Sequence, residues 1–306
     1  MSEPLIGKAV VIGIGLIGSS IARAVRAKEL VGELVVADQN ADALAEAERL
    51  GLADGYQRDC VAAVAGADTV FLCTPIGAFA DVAAAIGPHL APGTVVTDVG
   101  SVKEAAIRQL DMLLPDGVHF VPGHPVAGTE QSGPAAGFAD LFEGRWCILT
   151  PPAGSDPLAV DRIRRLWQAL GSRVEVMDAR HHDLVLAITS HVPHLIAYNI
   201  VGTASDLETV TRSEVIKYSA GGFRDFTRIA ASDPTMWRDV FLNNKEAVLE
   251  MLGRFTEDLT ALQRAIRWDD GDALFKLFSH TRDIRRSILD AGQDLDKVDF
   301  GRPHRK

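Results

Sequence analysis

The chain is poor in cysteine and has no excess of positive charge. Its three cysteines, Cys60, Cys73 and Cys147, lie far apart and form neither a CxxC pair nor a metal-ligand spacing. We therefore expect reduced thiols in a cytoplasmic protein, and no metal site. The formal net charge of −10 argues against a nucleic-acid partner, because such a partner requires a basic face.

Signals for export and for membrane insertion are also missing. The first residues lead into a predicted strand without a basic n-region or a cleavage site. No uninterrupted apolar run approaches the ~18 residues of a membrane span, so we expect no membrane partner. With 306 residues, of which 47% are hydrophobic, the chain is long enough to bury the core of one large or two ordinary domains.

The first half of the chain alternates short β-branched runs with Ala-rich helical segments. Continuous apolar strands separated by helices predict a parallel sheet covered on both faces. We therefore predict a doubly wound α/β domain of the Rossmann type over residues 1–178. The predicted strands are Ala9–Ile14, Glu33–Asp38, Thr69–Thr74, Thr94–Val99, His119–Val121, Trp146–Leu149 and Arg173–Val176. The predicted helices between them are Ile17–Ala27, Ala41–Leu50, Phe79–His89 and Val102–Leu113.

Helical periodicity dominates from about residue 179 onward, and strand-like runs become scarce. This change predicts an all-α domain over residues 179–306. The predicted helices are His181–Ser205, Glu208–Ser219, Pro234–Ile266 and Gly271–Ala291. Between the second and third of these, Ala220–Ser232 is predicted as a loop or a short helix.

A GxGxxG motif follows the first predicted strand and opens the first helix. The first glycine permits a tight turn, the second lets the backbone approach a pyrophosphate, and the third lets the helix pack closely on the strand. We expect cofactor contacts from Gly13, Gly15, Leu16, Ile17 and Gly18. A structural turn without a ligand is the alternative.

Asp38 stands 20 residues after Gly18, at the end of the second predicted strand. A carboxylate there accepts hydrogen bonds from ribose hydroxyls and repels a 2′-phosphate, so the motif predicts NAD as cofactor. The following residues, Gln39 and Asn40, supply no arginine that would favour NADP. Thr74 and Pro75 end the third predicted strand at the edge where dinucleotides bind, either as cofactor contacts or as a plain strand end.

Two polar segments are predicted at the same carboxyl edge of the sheet. Ser101 follows a strand in DVGSVK, where it is either the N-cap of a helix or a site residue. His124 begins HPVAGTE after the next strand, where it is placed to take a hydroxyl proton while a hydride leaves the same carbon.

The helical half contains two further candidate groups. His191 and His194 are three residues apart, which places them near one face of a helix, although no third metal ligand is evident. Arg224 and Arg228 lie in a Gly-bounded segment and either bind carboxylates or form a solvated charged loop.

The ordered set GxGxxG, DVGSVK, HPVAGTE, SHVPH and GGFRDFTRIAASDPTMWRD resembles the prephenate/arogenate (cyclohexadienyl) dehydrogenase family over residues 8–250. The resemblance implies a Rossmann domain joined to an all-α dimerisation domain, and a homodimer. It implies oxidation and decarboxylation of a cyclohexadiene carboxylate on the way to tyrosine, with NAD as cofactor. It also implies site roles for residues of the matched segments: His124 as the catalytic group at the substrate hydroxyl, Ser101 assisting it beside the nicotinamide, Arg228 on the ring carboxylate, and His194, His191, Glu130, Thr129, Arg224 and Trp237 around the substrate.

Two other functions remain open on the residues alone. A β-hydroxyacid or imine dehydrogenase also joins a Rossmann domain to helices, but it does not need the HPVAGTE segment. A non-catalytic NAD-binding regulator would account for Gly13 to Gly18 and Asp38, and would leave His124, His194 and Arg228 without a task.

Overall fold

A six-stranded parallel sheet forms the centre of the first part of the molecule. The computed structural model describes residues 4–211, 217 and 220–290. The strand order is β3-β2-β1-β4-β5-β6, which is the doubly wound order that the sequence predicts. The strands are β1 Ile6–Ile12, β2 Val31–Ala37, β3 Gly55–Gln57, β4 Thr69–Leu72, β5 Val95–Asp98 and β6 His119–Val121. Every neighbouring pair is parallel.

Helices cover both faces of this sheet and create two separate cores. Phe71 and Trp167 belong to one core, and Phe79 and Leu110 to the other. The helices of this part are α1 Leu16–Ala27, α2 Ala41–Arg49, α3 Cys60–Ala63, α4 Phe79–Ile86, α5 Glu104–Leu110 and α6 Pro157–Ala169. The central strands are buried from end to end, which explains why they read as continuous apolar runs.

The last two predicted strands, Trp146–Leu149 and Arg173–Val176, do not join the parallel sheet. Gly123–Pro125, Trp146–Leu149 and Arg173–Val176 form a separate three-stranded sheet, as β7, β8 and β9. The β7–β8 pair is antiparallel, whereas β8–β9 is parallel. His124 therefore lies within a short strand of the second sheet and not in a loop after β6. The apolar pattern predicts burial of these strands, but it carries no information on their partners.

The helical half is more interrupted than the sequence predicts. The helices are α7 Ala179–Leu186, α8 Val192–Thr211, α9 Gly221–Thr227, α10 Pro234–Asn243, α11 Lys245–Arg267 and α12 Gly271–Asp290. A π-helical turn at Ala187–His191 joins α7 to α8, and Asn244 separates α10 from α11. The predicted helix Glu208–Ser219 begins as the end of α8 and then lies mostly outside the described residues. The segment predicted as a loop or short helix contains α9 and a 3₁₀ turn at Arg228–Ala231.

Residue contacts divide the chain into Met1–Lys245 and Glu246–Lys306. The second unit contains nearly all of α11 together with α12. It exposes large apolar side chains, among them Trp268, which is 70% exposed, and Phe275, which is 75% exposed.

One described helical stretch, Ala179–Leu207, is long and apolar enough to cross a membrane by length and composition alone. It holds the buried polar side chains of His182, Asp183 and His191, which are hydrogen-bonded within the first unit. These contacts pack this part of the stretch against protein.

Candidate active site

The turn after β1 requires glycine at two positions of the GxGxxG motif. Gly13 has φ +97°, and a Cβ there would lie 2.7 Å from the carbonyl carbon of Cys73. A Cβ on Gly18 would lie 2.1 Å from the carbonyl oxygen of Gly13. The first clash would separate β1 from β4, and the second would push α1 off the turn. The two glycines therefore fix the close approach that opens α1 toward the sheet edge.

The outer side of the same turn is open. Gly15 is the N-cap residue of α1, and a Cβ added there meets no atom within 4 Å. Because Gly15 has no side chain, it supplies no acceptor for the first N–H groups of α1, those of Leu16 and Ile17 among them. Thr74 Oγ1, two residues past the end of β4 and next to Pro75, is buried without a hydrogen-bond partner among the described residues. Free donors at a helix N-terminus and an open approach are what a pyrophosphate requires.

Asp38 is tied to this turn. Its Oδ2 accepts the N–H of Ile14 at 2.8 Å, and its Oδ1 accepts the N–H of Asn40 at 2.8 Å. Asn40 in turn caps α2 with its side chain. The carboxylate thus stands at the end of β2 beside the glycine turn, where a ribose would meet it.

His124 belongs to a buried chain of two imidazoles and a carboxylate. Its Nδ1 lies 2.8 Å from Nε2 of His182, and Nδ1 of His182 lies 2.8 Å from Oδ1 of Asp183. A carboxylate accepts, so His182 carries its proton on Nδ1 and offers a lone pair on Nε2. His124 must then donate from Nδ1, which leaves its Nε2 as the basic nitrogen.

Burial keeps both imidazoles neutral. Loss of solvent lowers the pKa of His124 well below its usual 6.5, and His182, Lys103 and His191 add to this effect. Burial also lowers the pKa of His182, against the hydrogen bond to Asp183, which acts in the opposite direction. A neutral imidazole with a free lone pair is the form that can accept a proton.

Asp183 also anchors the segment that contains Ser101. The N-cap position of α5 is Lys103, not Ser101, so the N-cap interpretation of Ser101 is wrong. The Asp183 carboxylate replaces a local cap, because its two oxygens accept the N–H groups of Lys103 and Glu104 at 2.8 and 2.9 Å. Ser101 is half-buried and stands two residues ahead of this cap.

A fully buried ion pair lies beneath His124. Lys103 Nζ pairs with Asp98 Oδ2 and also donates to the carbonyl oxygen of Gly123 at 2.7 Å. Asp98 Oδ1 accepts the N–H of Gly123 at 3.1 Å. The pair therefore joins the end of β5 to the start of β7 and fixes the strand that carries His124.

A second cluster forms around Trp237. The His194 ring stacks on Trp237 with centroids 3.7 Å apart, and the His191 ring meets Trp237 edge-on at 6.0 Å. His191 Nδ1 lies 3.0 Å from Asn244 Nδ2, and His194 Nδ1 lies 2.8 Å from the Ser190 carbonyl oxygen. Both histidine rings therefore contact Trp237, and each has its Nδ1 in a hydrogen bond.

The two histidines differ in exposure. His191 is fully buried, and burial lowers its pKa to about 4. Its Nε2 and the Nε1 of Trp237 are buried without a partner among the described residues. His194 is half-buried, and burial lowers its pKa, with a further contribution from Arg228.

Arg228 pairs with Glu130. Its Nη1 lies 3.3 Å from Glu130 Oε2, and its side chain is 36% exposed. Thr129 forms a local turn in which its hydroxyl accepts the N–H of Gln131. Arg224 is exposed on α9, one turn before Arg228. Arg228 is thus held near both His194 and the HPVAGTE segment, whereas Arg224 points to solvent.

Sequence reasoning missed His182, Asp183, Lys103 and Asp98. A signal existed at His181-His182-Asp183, where an Asp follows directly after two histidines. The adjacent side chains of His182 and Asp183 form a hydrogen bond. Only the tertiary structure shows that His182 contacts His124 on β7 and that Asp183 caps α5.

Two family models match most of the chain. The family model described as "Prephenate dehydrogenase, nucleotide-binding domain" matches residues 21–176, and "Prephenate dehydrogenase, dimerization domain" matches residues 178–280. The chain is 43% identical over 278 residues to a cyclohexadienyl dehydrogenase of Zymomonas mobilis, covering 91% of this chain and 94% of the relative.

Solved structures are similar over nearly the whole length. One is prephenate dehydrogenase from Aquifex aeolicus in complex with hydroxyphenyl propionate and NAD+, at TM-score 0.86 and 33% identity, covering 94% of this chain and 99% of that one. Another is Synechocystis arogenate dehydrogenase, at TM-score 0.76 and 27% identity, covering 92% and 99% of the two chains.

Proposed function

The chain belongs to the prephenate dehydrogenase family, and we propose that it catalyses the NAD-dependent oxidative decarboxylation of prephenate, L-arogenate or both in tyrosine biosynthesis. The observation that carries the proposal is the chain His124–His182–Asp183, which presents a neutral imidazole with one free nitrogen. A substrate hydroxyl needs such a base when its carbon is oxidised.

The glycine turn and Asp38 support NAD as the cofactor. Bound NAD supplies the acceptor for the hydride that leaves ring C4. The open backbone at Gly15 would hold the pyrophosphate, and Asp38 would hold the adenosine ribose. We assign cofactor contacts to Gly13, Gly15, Leu16, Ile17, Gly18, Asp38, Thr74, Pro75 and Ser101.

We assign the proton transfer to Nε2 of His124. This nitrogen removes the proton of the substrate 4-hydroxyl, and the hydrogen bond to His182 keeps the ring in the required tautomer. Ser101 assists beside it as a hydroxyl that does not serve as a helix cap. Loss of CO2 then makes the ring aromatic, so the reaction needs no separate electron sink.

We propose that the cluster around Trp237 and the Arg228–Glu130 pair bind the substrate. Arg228 carries a permanent charge suited to the ring carboxylate, and its proximity to His194 supports this role. His194, whose ring stacks on Trp237, would line the substrate pocket. His191, Thr129 and Arg224 complete the proposed set. Because His191 is fully buried against Trp237, we assign it the role of orienting Trp237 and not a direct contact with the substrate.

We further propose the domain division 1–178 and 179–306 and a homodimer formed through the helical domain. The match of residues 178–280 to a dimerization domain and the exposed apolar side chains of α11 and α12 support both. The three free thiols fit a cytoplasmic location.

Steady-state kinetics with purified full-length protein test the proposal. Reduced nicotinamide is monitored by its absorbance, with NAD and with prephenate, arogenate or a 3-hydroxy acid as substrate. We expect turnover with prephenate or arogenate, with one CO2 released for each NADH. Turnover of the 3-hydroxy acid would point to a β-hydroxyacid dehydrogenase, and tight NAD binding without turnover of any substrate would point to a regulator.

A further inference from the structure

The end of β3 brings an arginine to the ribose side of the proposed cofactor site. β3 pairs with β2 in parallel, with Gln57 opposite Ala37, and the N–H of Asp38 donates to the Gln57 carbonyl oxygen at 3.2 Å. Arg58 is the next residue and therefore leaves the sheet beside Asp38. Its Nη2 donates to the carbonyl oxygen of Gln39 at 3.2 Å.

Asp38 and Arg58 lie on different sides of the same backbone turn. The Asp38 carboxylate faces the glycine turn and the start of α2, where its two oxygens hold the N–H groups of Ile14 and Asn40. Arg58 approaches from the β3 side and contacts Gln39 instead. The Asn40 N–H and the Gln39 carbonyl belong to one peptide group, so Asp38 and Arg58 flank this peptide at the ribose end of the proposed site.

The Arg58 guanidinium has hydrogen-bond donors that the described contacts do not use. A guanidinium carries five N–H donors, and the bond to Gln39 uses one of them. The side chain is exposed. Its neighbour Asp59 directs its carboxylate to the N–H of Val61, at the start of α3, and does not form an ion pair with Arg58.

We propose that Arg58 forms a subsite for a phosphate on the adenosine 2′-oxygen, so that the enzyme retains a measurable capacity for NADP which Asp38 limits. The inference rests on the proposed dinucleotide site. Asp38 sets the preference for NAD through repulsion of the 2′-phosphate, and Arg58 sets the residual affinity for NADP through a charge-assisted hydrogen bond. The sequence segment after Asp38 lacks an arginine, but the tertiary structure supplies one from the neighbouring strand.

Calorimetric titration of the full chain with NAD+ and with NADP+ tests this inference without reference to turnover. The variants are Arg58→Gln, Asp38→Asn and the double variant. Asp38→Asn removes the charge and keeps one side-chain oxygen, which can accept one of the two backbone N–H groups that Asp38 holds. Arg49→Gln is the matched control, because it removes the same charge from the far end of α2, where Arg49 pairs with Glu46.

We expect wild-type protein to bind NAD+ more tightly than NADP+, and Asp38→Asn to narrow or reverse this difference. Arg58→Gln should weaken NADP+ binding by about fivefold or more in both backgrounds and leave NAD+ binding within about twofold, since the lost contact is a charged hydrogen bond to the extra phosphate. Arg49→Gln should change neither affinity.

Two outcomes would overturn the inference. Equal effects of Arg58→Gln on NAD+ and NADP+ would mean that Arg58 only holds the Gln39 backbone. An unchanged NADP+ affinity in the Asp38→Asn background would mean that the phosphate does not reach Arg58. If wild-type protein binds neither nucleotide, the proposed function itself fails, and this result is distinct from both outcomes.

Discussion

His124 Nδ1 lies 2.8 Å from Nε2 of His182, and both rings are buried. The two residues are 58 positions apart in the sequence, on β7 and α7. Because Asp183 fixes the proton of His182 on Nδ1, this one contact assigns the tautomer of His124. It thereby assigns which nitrogen of His124 is available to a substrate.

Replacement of His182 tests the tautomer assignment. His182→Leu removes the acceptor, so His124 loses its preferred tautomer, and we expect kcat to fall by about 10²-fold with a smaller change in KM. His182→Gln places an amide oxygen near the position of Nε2 and should restore much of the loss. The pH profile of each variant is the further readout. If Leu and Gln lower kcat equally while the profile is unchanged, His182 has only a packing role.

Replacement of His124 tests the base directly. An asparagine amide at this position can still donate to His182, but it offers no basic nitrogen. We therefore expect His124→Asn to lower kcat by about 10²–10⁴-fold while NAD affinity stays near that of the wild type. Steady-state kinetics and nucleotide titration measure the two quantities. An unchanged kcat would remove His124 from the mechanism.

The pH dependence of activity follows from the burial of His124. The ring must be neutral to accept a proton, and burial lowers its pKa well below 6.5. As the pH falls from neutrality, this group therefore stays active past pH 6.5 and becomes protonated only in more acidic solution. We therefore expect kcat/KM to decline on the acid side only below pH 6.5. Loss of this decline in His124→Asn would assign it to His124. A decline at or above that pH would contradict the buried environment of the ring.

Arg228 tests the class of substrate. Arg228→Ala should raise KM for the cyclohexadiene substrate. The drop in kcat/KM should correspond to a loss of about 2 kcal/mol of transition-state stabilisation. This is the lower end of the range for a charged contact, because the side chain is 36% exposed. The KM for NAD should hardly move. Arg228→Lys should recover only part of the loss, since an ammonium cannot form two parallel hydrogen bonds to a carboxylate.

Arg165 on α6 is the matched control for this experiment, because it also pairs with a carboxylate, that of Asp161, and lies outside the proposed site. Arg165→Ala removes the same charge and should leave both KM values near those of the wild type. Near-silent behaviour of both Arg228 variants, or equal effects at Arg228 and Arg165, would indicate a solvated charged segment and would weaken the case for a carboxylate substrate.

The oligomeric state tests the role of the exposed apolar side chains. We expect sedimentation at micromolar concentration to show a homodimer. Phe275→Asp should weaken that dimer, because it places a charge in an apolar contact. Met112→Asp is the control, since Met112 is 91% exposed in the first unit and outside the helical domain. A stable, active monomer of the wild-type protein would refute the dimer.

The sequence by itself determined the parts that depend on neighbours along the chain. The turn at Gly13 and Gly18 and the position of Asp38 after β2 follow from short-range rules of sterics and spacing. The central strands follow from their apolar runs, and the doubly wound order follows from the alternation of strands and helices. Family resemblance added His124 and Arg228 as site residues, with roles that remain predictions.

Only the tertiary structure decided which distant groups meet. It separated β7, β8 and β9 from the main sheet, because an apolar pattern specifies that a strand is buried and leaves its partner open. It capped α5 with Asp183, about 80 residues away, and not with the nearby Ser101. It also placed His182 behind His124 and Arg58 beside Gln39. Hydrogen-bond partners of this kind are chosen by packing in three dimensions, so no local spacing in the sequence records them.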